Sequence, residues 1–218
     1  MIKSKYKNIF IIIIKILFIS LAVKMLYKYI GHKGGTMNAV DMTTIGLNSF
    51  YYIDYNMKIK IESIKIICLT IIVIMNYAFS LLKICNFYEG LKETIRIKSK
   101  NLKQYINKSI NFYLKYIIFD TSITIGTIFI TMKVLNIEQL YDMQVFLNLL
   151  LMFIFYIILP FLIIFIVDKF EYFIVCLLTS TIFADYFVYK LNIIHICIAY
   201  IIVFIITYFI ILIIERKK

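Results

Sequence analysis

The 218-residue sequence has no tryptophan, one proline (Pro160) and six glycines. The residues that punctuate turns are nearly missing, which excludes a loop-rich, collagen-like or low-complexity chain. Its four cysteines, Cys68, Cys85, Cys176 and Cys197, form no Cys-x-x-Cys, and each falls in or beside an apolar run. That pattern excludes a disulfide framework and reads as small core hydrophobes. Acidic residues are also scarce, with 12 Asp and Glu against 24 Lys and Arg, a formal net charge of +12. The bases flank apolar runs and form no face of their own. We therefore read them as topology signals and attraction to anionic lipid, with no nucleic-acid partner.

Catalytic signatures are missing too. There is no Gly-x-Ser-x-Gly and no His-Glu-x-x-His. Cys197 lies two residues from His195, a spacing that does not share a helix face. His32 and His195 have no carboxylate at ligand spacing. No enzyme activity, metal or cofactor is expected.

What the chain has is apolar length. It is 63% hydrophobic, with a mean hydropathy of +0.92. Soluble domains run at about 45–50% apolar, and a globule of this size has no interior for the surplus. The expectation is a single polytopic membrane domain, 1–218. Heavy use of Ile, Lys, Asn, Tyr and Phe fits an AT-rich bacterial genome, hence a bacterial cytoplasmic membrane.

A spanning helix needs about 20 mostly apolar residues. Six stretches qualify: 9–29, 66–82, 110–132, 145–167, 170–189 and 193–214. With the N-terminus inside, the cytoplasmic pieces 1–8, 83–108, 168–169 and 215–218 carry most loop Lys and Arg. The outer pieces carry Lys33, Lys58, Lys60, Lys65, Lys133 and Lys190. The predicted fold is an all-α integral membrane protein of six transmembrane helices with both termini cytoplasmic. Lys15 interrupts the first run, and Lys24 and Lys28 stand where a signal peptide needs small residues. An uncleaved first span is expected.

The first outer loop holds Gly31, Gly34, Gly35 and Gly46, which mark irregular backbone. Its aromatic stretch 49–55 predicts an anchor at the membrane surface or a substrate contact. The alternation at 57–62 predicts a short strand.

The segment 86–108 lies between spans two and three. Phe87, Leu91 and Ile95 recur at four-residue spacing, with Glu89, Lys92, Glu93 and Arg96 opposite. This predicts a short amphipathic cytoplasmic helix. A second stretch, with Leu102, Tyr105 and Ile106, is expected along the headgroups before turning into span three. A basic amphipathic loop near anionic lipid needs no partner, so a purely interfacial role stays open.

The stretch Tyr88-Glu-Gly-Leu-Lys-Glu-Thr-Ile-Arg-Ile-Lys-Ser-Lys100, followed by Tyr105 and Lys108, resembles the loop after the second span in permease subunits of ABC-2-type transporters. It is closest in style to the short permeases of bacteriocin export and self-protection systems. In that family an acidic coupling helix precedes an Arg-x-Lys-Ser-Arg/Lys stretch and a connecting helix. The counterparts here are Glu89 and Glu93, then Arg96, Lys98, Ser99 and Lys100. The six-span layout and long first outer loop also fit, while the detailed likeness is confined to this segment. The resemblance implies a permease, homodimeric or paired with a second permease, that exports or extracts a peptide or other amphipathic compound. The chain has no Gly-x-x-x-x-Gly-Lys-Ser/Thr loop, so a separate cytoplasmic ATP-binding subunit supplies the hydrolysis. Phe87, Leu91 and Ile95 would anchor the coupling helix there, with Glu89, Glu93 and Arg96 setting register by charge. Two other readings need no such ATPase: a six-span substrate-binding subunit of an importer, and a bacteriocin immunity membrane protein.

Charges inside the bilayer need partners. Asp120 sits mid-span, with Thr124, Thr127 and Thr131 following on one helix side and Gly126 beside them. This stripe lines a translocation path or subunit interface, or else Asp120 pairs with Lys115 or a Thr in helix packing. Lys115 is nearer the inner surface and can snorkel. Asp185 and His195 flank the short turn between spans five and six, as a pH-sensitive pair or a local helix-end contact. Pro160 predicts a kink in span four.

Overall fold

A computed structural model of the protein describes residues 2–31, 38–47, 51–53, 59–61, 63–86 and 90–166, with Val175, Leu177 and Ile205. The predicted spans 170–189 and 193–214 lie outside the described residues but for those three positions. So do Asp185, His195, His32, Phe87 and Glu89.

The chain is mostly helical. Helix α1 covers Ile2–Gly31 and a short turn, α2, covers Ala39–Asp41. Strands β1 (Tyr51–Ile53) and β2 (Ile59–Ile61) follow. Then come α3 (Ser63–Asn76), α4 (Ala78–Asn86), α5 (Lys92–Ile97), α6 (Leu102–Val134) and α7 (Met143–Ile166). Among the described residues three helices are long and apolar enough to cross a membrane, or four if the bent pair α3 and α4 counts as one span.

Each long helix sorts its apolar residues by face. On α7, Val145, Leu149, Met152, Tyr156, Leu159 and Ile163 are buried, alternating four and three residues apart. That period is the stripe one side of a helix presents to its neighbours. On α1, Ile19, Ala22, Val23 and Leu26 point inward, while Ile13, Leu17, Leu21 and Met25 are exposed. Exposed Ile118, Phe119 and Ile130 on α6, and Phe146, Leu147, Leu150 and Ile154 on α7, extend this outer surface. Such rows have no reason to face water; lipid tails are as apolar as they are. Helix α1 packs chiefly on α3 and α6, and α6 also meets α4 and α7.

One end of the bundle is closed by loops. Ala39 N–H donates to the Glu138 carbonyl (2.8 Å). The Asn148 side-chain amide donates to Thr43 Oγ1 (3.1 Å). Helix α6 ends there with Asn136 in the left-handed region (φ 53°) and Ile137 N–H bonded to the Met132 carbonyl (3.2 Å). This is a Schellman-type stop, with buried Met132 and Ile137 as its apolar pair.

Three expectations are revised. The alternating stretch at 57–62 does supply a strand, but its partner is the aromatic stretch: Tyr51 pairs with Ile61 and Ile53 with Ile59, antiparallel. The 102–108 stretch does not turn into span three; it is the first part of one continuous helix, Leu102–Val134. Asn101 caps that helix, accepting from Gln104 N–H (2.9 Å), while Gln104 Oε1 accepts from Lys100 N–H (2.8 Å). Third, span two is not straight: α3 and α4 meet at a 54° bend. Helix α7 runs through Pro160.

Candidate functional site

The bend falls at Tyr77, between Asn76 and Ala78, inside the buried interior. A helix end leaves four carbonyls or four N–H groups without intrahelical partners, and these carry partial charge. In lipid such groups must be satisfied from within the protein. Here two side chains from other helices do it.

Lys15 comes from α1 and Asp120 from α6, and both side chains are 0% exposed. Lys15 Nζ lies 2.9 Å from Asp120 Oδ1. It also donates to the Asp120 carbonyl (2.6 Å) and to the Asn76 carbonyl at the end of α3 (3.0 Å). An ammonium has three donors, and all three are used. Asp120 Oδ2 accepts from Phe79 N–H (3.1 Å) and Ser80 N–H (2.6 Å) in the first turn of α4. The cation therefore sits at the negative end of one half-helix and the anion at the positive end of the next.

The surroundings complete the joint. Tyr77 O–H donates to the Tyr156 carbonyl on α7 (2.8 Å), and the two rings meet edge to face. Ser80 Oγ donates to the Tyr77 carbonyl (3.2 Å), and Leu81 N–H resumes the helical ladder onto that same carbonyl (2.7 Å). Both polar atoms of the Asn76 side chain are buried with no hydrogen-bond partner among the described residues. Five helices, α1, α3, α4, α6 and α7, thus converge on one buried polar joint.

One of the two readings of Asp120 pairs it with Lys115 or a Thr. Its counter-ion is Lys15; Lys115 is exposed, with its ammonium 4.9 Å from the Tyr116 ring centre. Thr124, on the stripe predicted to line a path or interface, donates to the Asp120 carbonyl (3.1 Å), and Thr127 donates to the Ile123 carbonyl (2.7 Å). Both are buried. Thr131 reaches Thr127 O (2.7 Å) and Ser20 Oγ on α1 (3.1 Å). At Thr131 the stripe meets α1 of the same chain. Sequence reasoning noticed Lys15 only as an interruption of an apolar run. The signal that finds the pair is opposite charge within two different spans. Nothing but Asn76 in an apolar run marks the bend.

The second candidate is the surface segment around α5. Leu91 and Ile95 are half-buried and pack against the chain's own core. Their apolar side therefore faces the bundle, where the sequence reading had them anchoring a partner. Glu93 and Arg96 are exposed, and Ile97 is 84% exposed. Ser99 Oγ donates to the Ile95 carbonyl (2.6 Å), and Lys108 Nζ on α6 donates to the Lys98 carbonyl (3.0 Å). The helix is thereby tied to α6.

Among the described residues no group of His, Cys, Asp and Glu is placed to hold a metal ion. An open depression of about 560 Å³ at the α6–α7 turn, lined by residues such as Lys133, Asn136 and Tyr141, belongs to neither candidate. No family model, curated protein or solved structure matches the chain.

Proposed function

We propose that the chain is the permease subunit of an ATP-binding-cassette transporter of the ABC-2 type in a bacterial cytoplasmic membrane. It crosses the bilayer six times, with both termini in the cytoplasm. Paired with a copy of itself or a second permease, it exports or extracts a peptide or other amphipathic compound. A separate cytoplasmic subunit hydrolyses the ATP.

The observation that supports this reading is the placement of α5. It is a short helix between two membrane-crossing segments, held to the bundle by Leu91 and Ile95, with Glu93, Arg96 and Ile97 turned outward. An apolar side chain as exposed as Ile97, between charges of both signs, suits a cleft on a partner: the isoleucine supplies contact and the charges set orientation. Phe87 and Glu89 extend the same docking segment. Because α5 follows α4 and is tied to α6 through Lys108, a push on it reaches two spans. Closure of a pair of ATPases on nucleotide would rock the permease through these joints.

The test is purification of the tagged chain from its native membrane in mild detergent. A phosphate-loop ATPase is expected to accompany it, and R96E with I97D is expected to release that ATPase while the chain stays inserted. Recovery of the inserted chain alone, or an ATPase indifferent to both changes, refutes the reading. Lys100→Cys should react with an impermeant maleimide in inverted vesicles and not in intact cells; the reverse pattern also refutes it. An importer subunit or immunity protein would need neither the ATPase nor the exposed face of α5.

A further inference from the structure

Sharp bends in helices have identifiable causes: proline, glycine or serine pairs, or a group inserted into the hydrogen-bond ladder. Residues 74–80 read Ile-Met-Asn-Tyr-Ala-Phe-Ser, with neither proline nor glycine. In an unbroken helix Ser80 N–H would donate to the Asn76 carbonyl, four residues back, and Phe79 N–H to the Met75 carbonyl. Instead Ser80 and Phe79 donate to Asp120 Oδ2, and the Asn76 carbonyl accepts from Lys15 Nζ. The ion pair occupies both halves of one missing helical bond.

We propose that the Lys15–Asp120 pair is a charge-set lock that imposes the bend, so that span two has a second, straight arrangement available once the pair is withdrawn. In the straight form the displaced N–H and C=O groups satisfy each other. The sequence through the bend is compatible with helix on both sides, so no residue forbids the fusion. Helix α5 follows α4 in the chain, so a change in the bend would pull on α5 against its own hold on the core and on α6. Two packings of one element, selected by whether a charge pair is seated between half-helices, make a bistable joint. The lock concerns the bend alone and holds whether or not an ATPase docks on α5.

The experiment is a spin-label distance measurement on the full chain in lipid nanodiscs. Labels are placed at Ser63→Cys and native Cys85, with the other three cysteines replaced by alanine. At 1.5 Å rise per residue, these positions are about 33 Å apart along one straight helix and roughly 30 Å apart when bent by 54°. The lock predicts that K15M/D120L lengthens the mean distance by about 3 Å relative to the wild-type pair. An inserted double variant with the unchanged distance overturns it. Should K15M/D120L fail to insert, K15A/D120A, which likewise supplies no donor or acceptor to the bend, is read the same way: lengthening supports the lock and no change refutes it. The swap K15D/D120K keeps a pair but turns each charge toward the wrong helix end. It is expected to be recovered at well below the wild-type yield. Full recovery of the swap at the wild-type distance would show that mutual neutralisation, and not the match to the half-helix ends, holds the bend, and would overturn the proposal.

Discussion

Removing one member of the buried pair should cost far more than removing both. Lys15 and Asp120 are fully buried and consume one another's hydrogen-bonding capacity together with that of the bend. K15M alone strands a carboxylate in the interior, and D120L alone strands an ammonium. Breaking a buried pair in this way costs about 3–5 kcal/mol, a roughly hundred- to several-thousand-fold loss in the folding equilibrium at about 1.4 kcal/mol per decade. The double variant K15M/D120L leaves no buried charge. If the bend persisted, Phe79 N–H, Ser80 N–H and the Asn76 carbonyl would all lose their partners, at about 1–3 kcal/mol each. If the helix straightens, those groups satisfy one another and the double variant falls within about 1–2 kcal/mol of the starting protein. The coupling energy of the cycle is therefore several kcal/mol in favour of the pair. Reversible unfolding in mixed micelles, followed by circular dichroism because the chain has no tryptophan, measures all four corners. Single substitutions costing under about 1 kcal/mol each, or a double cost equal to their sum, would refute the reasoning.

Three further changes probe the frame around the joint. Tyr77→Phe keeps the edge contact with Tyr156 but removes the hydrogen bond that Tyr77 O–H donates to the Tyr156 carbonyl; a loss of about 1–3 kcal/mol is expected in the same unfolding assay, and a neutral result would refute a stabilising role for that bond. Asn101→Ala removes the acceptor for Gln104 N–H, with an expected cost near 1 kcal/mol and faster hydrogen exchange confined to the first turn of α6. Asn136 has a φ of 53°, so Asn136→Val should destabilise by about 1–2 kcal/mol while Asn136→Gly is tolerated, as read by melting temperature.

Length and apolar runs were legible because a segment long and apolar enough to cross lipid has one backbone solution there, the helix; which face of each helix turns inward was not. The runs at 9–29, 110–132 and 145–167 correspond to α1, α6 and α7 for that reason. The strand at 59–61 was legible from its alternation, but its partner was not, because pairing is a tertiary choice. The bend at Tyr77 was hidden: the bonds that mark it span 61 residues, from Lys15 to Asn76, and 40 residues, from Ser80 to Asp120. No local propensity records a bond of that range. Leu91 and Ile95 show the opposite problem. Their spacing announces an apolar face, and spacing cannot say whether that face meets the chain's own core or a partner's.

A chain with one proline and six glycines has few ways to bend its backbone in lipid. Proline fixes a kink permanently, since its ring removes the hydrogen-bond donor in every conformation. A pair of charged side chains breaks the ladder only while seated there. Burying that pair is expensive, at about 2.5–3.5 kcal/mol per charge on insertion scales, and a straight apolar helix would avoid the cost altogether. The expense is offset only because each charge also satisfies backbone groups that the break exposes: Asp120 takes two N–H donors, and Lys15 takes one carbonyl at the bend. The bend and the pair are therefore each the other's condition. Without the pair the broken helix has unmet polar groups in lipid, and without the break the pair has nothing beyond itself to satisfy. A joint built on that mutual dependence is released by displacing either charge, which no proline kink allows.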